Sequence, residues 1–149
     1  MTLLDTNLVS DFLHPDAAKR FPGQYAFVCD LIAGDGFAIS YVTQFELRRG
    51  AEELVRRGQG RRKLVALDKF LDQVEVLGLD GAGGAGWTFA ARLWADGRAH
   101  RPAIVMTDAD LLIAATAAIH GRPFATSEAR LAANLREIGF PVDVRVVHR

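Results

Sequence analysis

The chain has 149 residues, of which 50% are hydrophobic and 24% are charged, and a chain of this length buries roughly two-thirds of its unfolded surface. Its 18 basic and 18 acidic side chains give no net charge, so any binding of nucleic acid has to come from local patches. The single cysteine, Cys29, excludes an intrachain disulfide and a cysteine-based zinc cluster. No apolar run approaches the ~20 residues that span a bilayer, and we expect one domain over residues 1–149, in the cytoplasm and without membrane contact.

Short apolar runs bounded by turn residues predict strands, and the helical spacing of apolar residues predicts helices between them. In chain order the predicted elements are a strand at 2–4, helices at 8–13 and 25–33, a strand at 37–40, helices at 43–57 and 61–73, a strand at 74–79, helices at 87–94 and 108–119, a strand at 124–126, a helix at 128–138 and a strand at 142–147. Strands that alternate with helices favour a mainly parallel sheet covered on both faces. The predicted fold class is therefore α/β.

Two segments between these elements are predicted as loops. Residues 81–86 are rich in glycine but lack the Gly-Lys-Ser/Thr ending of a phosphate-binding loop. Residues 96–102 are mostly polar. Trp87 and Trp94, in the helix between the two loops, are predicted to pack in the core rather than to stack on RNA bases.

Acidic side chains recur where a parallel sheet would bring them together. Asp5 follows the first strand, and Glu46 lies in the helix after the second. Asp108 and Asp110 open the nearly all-apolar helix, and Glu128 follows the fourth strand. The carboxyl ends of parallel strands meet at one edge of a sheet, where ligands bind. A group of carboxylates repels itself unless a hard divalent cation neutralises it, so the pattern favours Mg²⁺ or Mn²⁺, which can activate water for attack on a phosphodiester.

Each of these acids also has a purely structural explanation. Asp5 is a favourable N-cap for the helix that follows it. Thr43 and Glu46 match a capping box, in which the glutamate only closes the helix start. Asp108 and Asp110 complement the positive end of a helix dipole. Against this, Asp110 is followed by a run of small and apolar residues, and a charge beside a buried surface needs a partner.

Two groups of basic residues are candidates for binding a phosphate backbone. Arg48 and Arg49 belong to a basic run in the second quarter of the chain, and Arg98 and Arg101 belong to a second group. A solvated helix face is the simpler interpretation of either run.

The segments LLDTN, FELRRG, and DADLLIAATA followed by ATSEARL together resemble the PIN-domain ribonucleases. The resemblance is strongest to the VapC-type toxins of bacterial toxin–antitoxin pairs, including the FitB-like branch. It extends from Leu3 to the last predicted strand. It implies a three-layer PIN-like fold, with helices on both faces of a central, mainly parallel sheet of about five strands.

The resemblance assigns most of the acids to positions in the family's metal site. Asp5 matches the first metal ligand, Glu46 the second acid and Asp110 the third. Thr6 and Asn7 match the small polar residues beside the first ligand, and they would position a ligand or a substrate oxygen.

The fourth acid departs from the family pattern. The family commonly has an aspartate two residues after a threonine, or a later one that would fall at Leu131. Here Thr126, a supporting residue of the site, is followed two residues later by Glu128. Either Glu128 or Asp108 would be the fourth acid, or three acids would hold a single metal ion.

The resemblance also implies a function. It implies a Mg²⁺- or Mn²⁺-dependent endoribonuclease toxin that cleaves structured RNA such as transfer RNA, is bound by a VapB-type antitoxin and forms a homodimer. A catalytically silent PIN-like module that binds RNA or protein is the alternative, although pure binding does not need converging carboxylates. A phosphatase with Asp5 as nucleophile is disfavoured because Asn7 occupies the place of the second aspartate of an Asp-x-Asp pair.

Overall fold

A five-stranded parallel sheet forms the centre of the molecule. The computed structural model describes residues 1–81 and 83–149, and its strands are β1 (Thr2–Leu4), β2 (Phe37–Ser40), β3 (Glu75–Leu77), β4 (Phe124–Thr126) and β5 (Val144–Val146). They are hydrogen-bonded in the order β3-β2-β1-β4-β5, and every pairing is parallel. The predicted α/β class with a central parallel sheet is confirmed.

Helices connect the strands. In chain order they are α1 (Thr6–Phe12), α2 (Ala17–Arg20), α3 (Pro22–Ala33), α4 (Tyr41–Arg56), α5 (Arg61–Leu71), α6 (Ala85–Ala99), α7 (Asp108–Ile119) and α8 (Ala129–Glu137). The strands β1, β2 and β4 have the predicted bounds, whereas β3 and β5, at the two edges of the sheet, are shorter than predicted.

Several helices differ from the prediction for identifiable reasons. Helix α3 begins at Pro22 rather than at residue 25, because proline is favourable at the first helical position, where its missing N–H is not needed. Helix α2 has only 4 residues, too few to show a hydrophobic period. Helix α6 continues to Ala99, so the predicted loop at 96–102 is wrong over its first half.

The glycine-rich segment is only partly a loop. Gly84 has a left-handed backbone, with φ of 78°, at the start of α6, and Gly86 is already a buried helical residue. The predicted loop at 81–86 is therefore too long at its carboxyl end. Ala82, which this prediction also includes, lies outside the described residues.

Strand β1 lies where the winding of the chain reverses. Its Leu3 is in register with Ala38 of β2 on one side and with Phe124 of β4 on the other. The strands added after β1 extend the sheet first through β2 to β3, and then in the opposite direction through β4 to β5. Such a switch point leaves a crevice at the carboxyl ends of the strands. Asp5, the residue after β1, stands at this crevice.

The two leucines of β1 face opposite sides of the sheet. Leu3 packs with Ile113 of α7, whereas Leu4 packs with Leu8 of α1 and Val28 of α3. Side chains alternate across a strand, and burying each leucine contributes roughly 1.5–3 kcal/mol. The helices thus form one layer on each face, and the predicted three-layer arrangement is confirmed.

Helix α7 is buried on two sides, as its apolar sequence predicts. Ile113 faces the cluster on the sheet, while Leu111 and Ala115 pack against Ala90 and Leu93 of α6. Within residues 1–81 and 83–149, no helix has the length and apolar content to cross a membrane.

Gly97 lies where the segment after α6 folds back onto the helix. The amide of Ile104 donates to the carbonyl of Gly97 at 2.9 Å, and a Cβ at position 97 would lie 2.5 Å from the carbonyl oxygen of Ile104. Gly97→Ala therefore forces apart two backbone segments, and we expect the free energy of unfolding, measured by urea denaturation, to fall by about 1–3 kcal/mol.

Gly50→Ala is the matched control for this prediction. Gly50 lies inside α4, where a Cβ would have no neighbour within 4 Å. Replacing a helical glycine in open space is expected to leave stability unchanged or to raise it by up to about 1 kcal/mol. Equal effects of the two substitutions would contradict the close approach at Gly97.

Candidate active site

Asp5 is the buried acid at the centre of the crevice, and it is only 3% exposed. Its N–H donates to the carbonyl of Ala125 at 2.9 Å, which extends the pairing of β1 with β4 by one residue. One carboxylate oxygen accepts the N–H of Thr6 at 2.8 Å, and the other accepts the hydroxyl of Thr126 at 2.7 Å. Asp5 is also the N-cap of α1, so its capping role and its place at the sheet edge coexist.

Glu46 is not part of a capping box. Helix α4 begins directly after β2, and its N-cap is Ser40, whose hydroxyl accepts the N–H of Thr43 at 3.0 Å. The predicted start at Thr43 is wrong because Ser40 already combines an extended backbone with a short hydroxyl side chain. The Glu46 carboxylate instead accepts the hydroxyl of Thr6 at 2.8 Å, and its other oxygen lies 3.6 Å from the guanidinium of Arg49.

Asp110 reaches the crevice from the first turn of α7. Thr107 is the N-cap of this helix and accepts the N–H of Asp110 at 3.1 Å. Burial raises the pKa of the Asp110 carboxyl, and the negative charge of Glu46 acts in the same direction. The side chains of Asp110 and Glu46 are therefore near enough to repel each other.

Thr126 and Glu128 bring the end of β4 to the same crevice. The Thr126 hydroxyl accepts the N–H of Glu128 at 3.0 Å, which leaves its own proton to donate to Asp5. The Glu128 carboxylate accepts a hydrogen bond from the side-chain amide of Asn7. The three small polar residues predicted beside the acids each hold one of them: Thr6, Asn7 and Thr126.

The structure separates the two candidates for the fourth acid. The negative charge of Glu128 contributes to the raised pKa of Asp5, so the two carboxyl groups are neighbours. Asp108 is exposed and lines an open groove with Trp94 and Leu112. Two residues along a helix correspond to a rotation of about 200° around its axis. Asp108 and Asp110 therefore face different surroundings.

The crevice is electrostatically unfavourable for its own carboxylates. The pKa of Asp5 is raised from 3.8 to about 6, mainly by burial and further by the charges of Asp110 and Glu128. Hydrogen bonds from Thr126 and Thr6 oppose this rise. In the described part of the chain, Arg49 is the one basic side chain at ion-pair distance from any of these acids.

The chemistry of these side chains fits a hard divalent cation. Carboxylate oxygens are the ligands that Mg²⁺ and Mn²⁺ prefer, and a cation would relieve the repulsion around Asp5. Among the residues that the structure describes, no three acidic, histidine or cysteine side chains yet surround a common point. Glu46 and Glu128 each accept a hydrogen bond through one carboxylate oxygen, from Thr6 and Asn7 respectively.

The predicted basic residues divide into one near the crevice and three farther away. Arg49 lies beside Glu46 and over the ring of Phe45. Arg48 forms ion pairs with acidic side chains, Arg98 lies over the ring of Trp94, and Arg101 donates to backbone carbonyls. Only Arg49 joins the acids.

An open groove of about 420 Å³ extends from Glu46 between α4 and α6, and exposed aromatic rings line it. Tyr41, Phe45 and Trp87 are 59%, 61% and 51% exposed. Trp94, in a neighbouring groove, is 49% exposed, so the predicted core packing of both tryptophans is wrong. The inner face of α6 consists instead of small residues and one leucine: Gly86, Ala90, Leu93 and Gly97.

Two polar residues near the acids were not predicted as part of the site. Ser40 and Thr43 are fully buried and lie on the side of Glu46 that faces Thr6. The serine at the end of the second predicted strand, three residues before a threonine, is the sequence signal for this arrangement, since it offers an alternative cap.

The sequence profile of the PIN domain matches residues 2–136, which include β1 to β4 and most of α8. No curated protein matches the chain by sequence.

Solved structures share this fold over nearly the whole chain. VapBC2 from Rickettsia felis, bound to a DNA fragment from its promoter, is 18% identical with a TM-score of 0.75, and the match covers 98% of each chain. FitAcB from Neisseria gonorrhoeae is 26% identical with a TM-score of 0.72, covering 97% of this chain and 96% of that one. VapBC-5 from Mycobacterium tuberculosis, a member of the VapBC family of toxin-antitoxin systems, is 23% identical with a TM-score of 0.58, covering 99% and 98%. The match of the family profile confirms the resemblance read from the sequence: this protein belongs to the PIN domain family.

Proposed function

We propose that this chain is a metal-dependent endoribonuclease and the toxin of a VapBC-type toxin–antitoxin pair. The observation that carries the proposal is the burial of Asp5, with a raised pKa, beside Asp110 and Glu128 at the switch point of a PIN fold. Buried acids without a cationic partner are costly, and carboxyl groups with raised pKa values are concentrated at functional sites. Residues 1–149 would act as one nuclease domain.

In this proposal Asp5, Glu46 and Asp110 hold Mg²⁺ or Mn²⁺, and Glu128 rather than Asp108 is the fourth acid. A bound cation of this kind supplies a Lewis acid that activates water and offsets charge on a phosphodiester.

Neighbouring polar groups oppose the rise in the pKa of Asp5 and orient the other acids. Thr6 and Thr126 donate to the two oxygens of Asp5, and hydrogen bonds to a carboxylate favour its charged form. Thr6 also donates to Glu46 through its hydroxyl, so one residue orients two of the ligands. Asn7 holds Glu128 at the outer edge of the crevice.

We infer a structured RNA, such as a transfer RNA, as the substrate, acted on in the cytoplasm. Arg49 is the basic residue best placed for a phosphate near the acids, and Arg48, Arg98 and Arg101 would contact the RNA farther along the surface. A VapB-type antitoxin partner is supported by the solved VapBC and FitAcB structures with the same fold. We also propose that the chain forms a homodimer, because the family resemblance implies one.

A catalytically silent module that binds RNA or protein is the second candidate. Two observations favour it. Within the described residues no three acids are yet arranged around one point, and the aromatic groove beside Glu46 offers a binding surface without chemistry.

An RNA cleavage assay with total RNA and antitoxin-free protein tests the proposal. We expect cleavage with Mg²⁺ or Mn²⁺, none with a chelator, and a loss of activity in Asp5→Asn and Asp110→Asn that exceeds the ~100-fold cost of losing an outer-shell partner. Asp108→Asn is the matched control, because Asp108 belongs to the same helix turn but lines the groove beside α6, and it is expected to keep its activity.

Two results would count against this assignment. Metal-dependent cleavage that survives both Asp5→Asn and Asp110→Asn would place the chemistry elsewhere. Absence of cleavage by the wild-type protein, together with RNA binding that needs no metal, would favour the silent module.

The raised pKa of Asp5 also predicts how the stability of the metal-free protein depends on pH. Because the folded chain holds this proton more tightly than the unfolded chain, the free energy of unfolding falls as the pH rises from 3.8 through about 6. The contribution of this one group is about 3 kcal/mol. Urea denaturation between about pH 4 and pH 7 measures the decline.

Asp5→Asn removes the titrating group, so the decline should be smaller in that variant, whatever its absolute stability. Asp108→Asn, at an exposed position, should follow the wild-type profile. If the free energy of unfolding changed with pH equally in the wild type and in Asp5→Asn, burial of the ionised Asp5 carboxylate would not destabilise the folded chain.

A further inference from the structure

A chain of hydroxyl groups leads from the end of β2 to Glu46. The hydroxyls of Ser40 and Thr43 are 3.3 Å apart, and those of Thr43 and Thr6 are 2.9 Å apart. The Thr6 hydroxyl lies 2.8 Å from the Glu46 carboxylate. Ser40 and Thr43 are 0% exposed, so water does not compete for the contact between them. The chain of hydroxyls joins the first turn of α4 to the first turn of α1, which starts at Asp5.

The hydrogen-bonding capacity of these groups permits a single direction of donation. An ionised carboxylate only accepts hydrogen bonds, so Thr6 donates its one hydroxyl proton to Glu46. Thr6 then has only lone pairs to offer, and Thr43 must be the donor in their contact. Thr43 in turn accepts the proton of Ser40, whose oxygen is oriented by the backbone N–H of Thr43.

Thr43 is the link that cannot be replaced by solvent. Its hydroxyl is both the acceptor for Ser40 and the donor to Thr6. A valine at this position would fill the same volume, but it would leave Thr6 without the donor that holds its rotamer and Ser40 without an acceptor. The contact between Thr6 and Glu46 would then lose its directional support, although every proposed ligand would still be present.

We propose that Thr43 is a positioning residue of the acid cluster, which orients Glu46 for the metal through the hydroxyl of Thr6. The part that concerns the metal rests on the proposed function, in which Glu46 is a ligand. The part that concerns Thr6 and Glu46 rests only on the contacts within the chain.

The test compares Thr43→Val, Thr43→Ser and Thr116→Val with the wild-type protein. Thr116 is the matched control, because it is equally buried but its hydroxyl donates only to the carbonyl of Leu112 within α7. Titration calorimetry with Mn²⁺ should show about 10- to 100-fold weaker binding for Thr43→Val, whereas Thr43→Ser and Thr116→Val should bind Mn²⁺ like the wild type. Thermal melts of all variants check that the folds are intact.

A second measurement is independent of the metal. NMR scalar couplings report the side-chain rotamer of Thr6, which should be single in the wild type, Thr43→Ser and Thr116→Val, and averaged in Thr43→Val. A single Thr6 rotamer in Thr43→Val, or Mn²⁺ binding equal to the wild type, would overturn the role of Thr43. Lack of Mn²⁺ binding by the wild type would instead overturn the proposed function, and the rotamer measurement would still decide the contact.

Discussion

Asp5 can be buried only because two neighbouring strands are held in one register. Thr126 reaches its carboxylate because β4 pairs with β1 so that Leu4 lies opposite Ala125. That register requires Leu3 and Leu4 to find apolar partners on opposite faces of the sheet, which the helices on the two sides provide. A slip by one residue would exchange the faces of the two leucines and would remove a hydrogen bond from a buried charge. The hydrophobic layers and the acid cluster therefore depend on the same strand pairing.

The parts of the molecule that follow from local pattern could be predicted from the sequence. β1 and β4 are short apolar runs with polar residues directly after them, and the order of the elements brings the start of α7 to the same edge of the sheet as Asp5. Local pattern could not decide whether Glu46 closes the helix start or faces the other acids, because Ser40 and Thr43 offer competing caps three residues apart. In the structure Ser40 is the N-cap, and Thr43 and Glu46 instead contact Thr6, which is distant in sequence. Which of Asp108 and Asp110 faces the crevice depends on the rotation of α7 about its axis, which local pattern does not determine.

The tryptophans illustrate a different limit. Their hydrophobicity predicts burial, but α6 approaches α7 too closely for an indole ring to lie between the two helices. A Cβ at Gly86 would already lie 2.7 Å from the side chain of Ile119. Close helix packing through small residues thus turns Trp87 and Trp94 outward. VapBC2 has the same fold at 18% identity. The fold is therefore consistent with constraints on the size and polarity of residues more than on their identity.

The outward position of the indoles gives the protein a built-in optical reporter. The chain has 2 tryptophans, and both are about half exposed, with Trp87 in the groove that begins at Glu46. About half of each ring is already in contact with water. A molecule that enters the groove would instead move the Trp87 ring from water into an apolar contact and would shift its emission to shorter wavelength. Intrinsic fluorescence of Trp87 would thus report occupancy of the groove beside the acids.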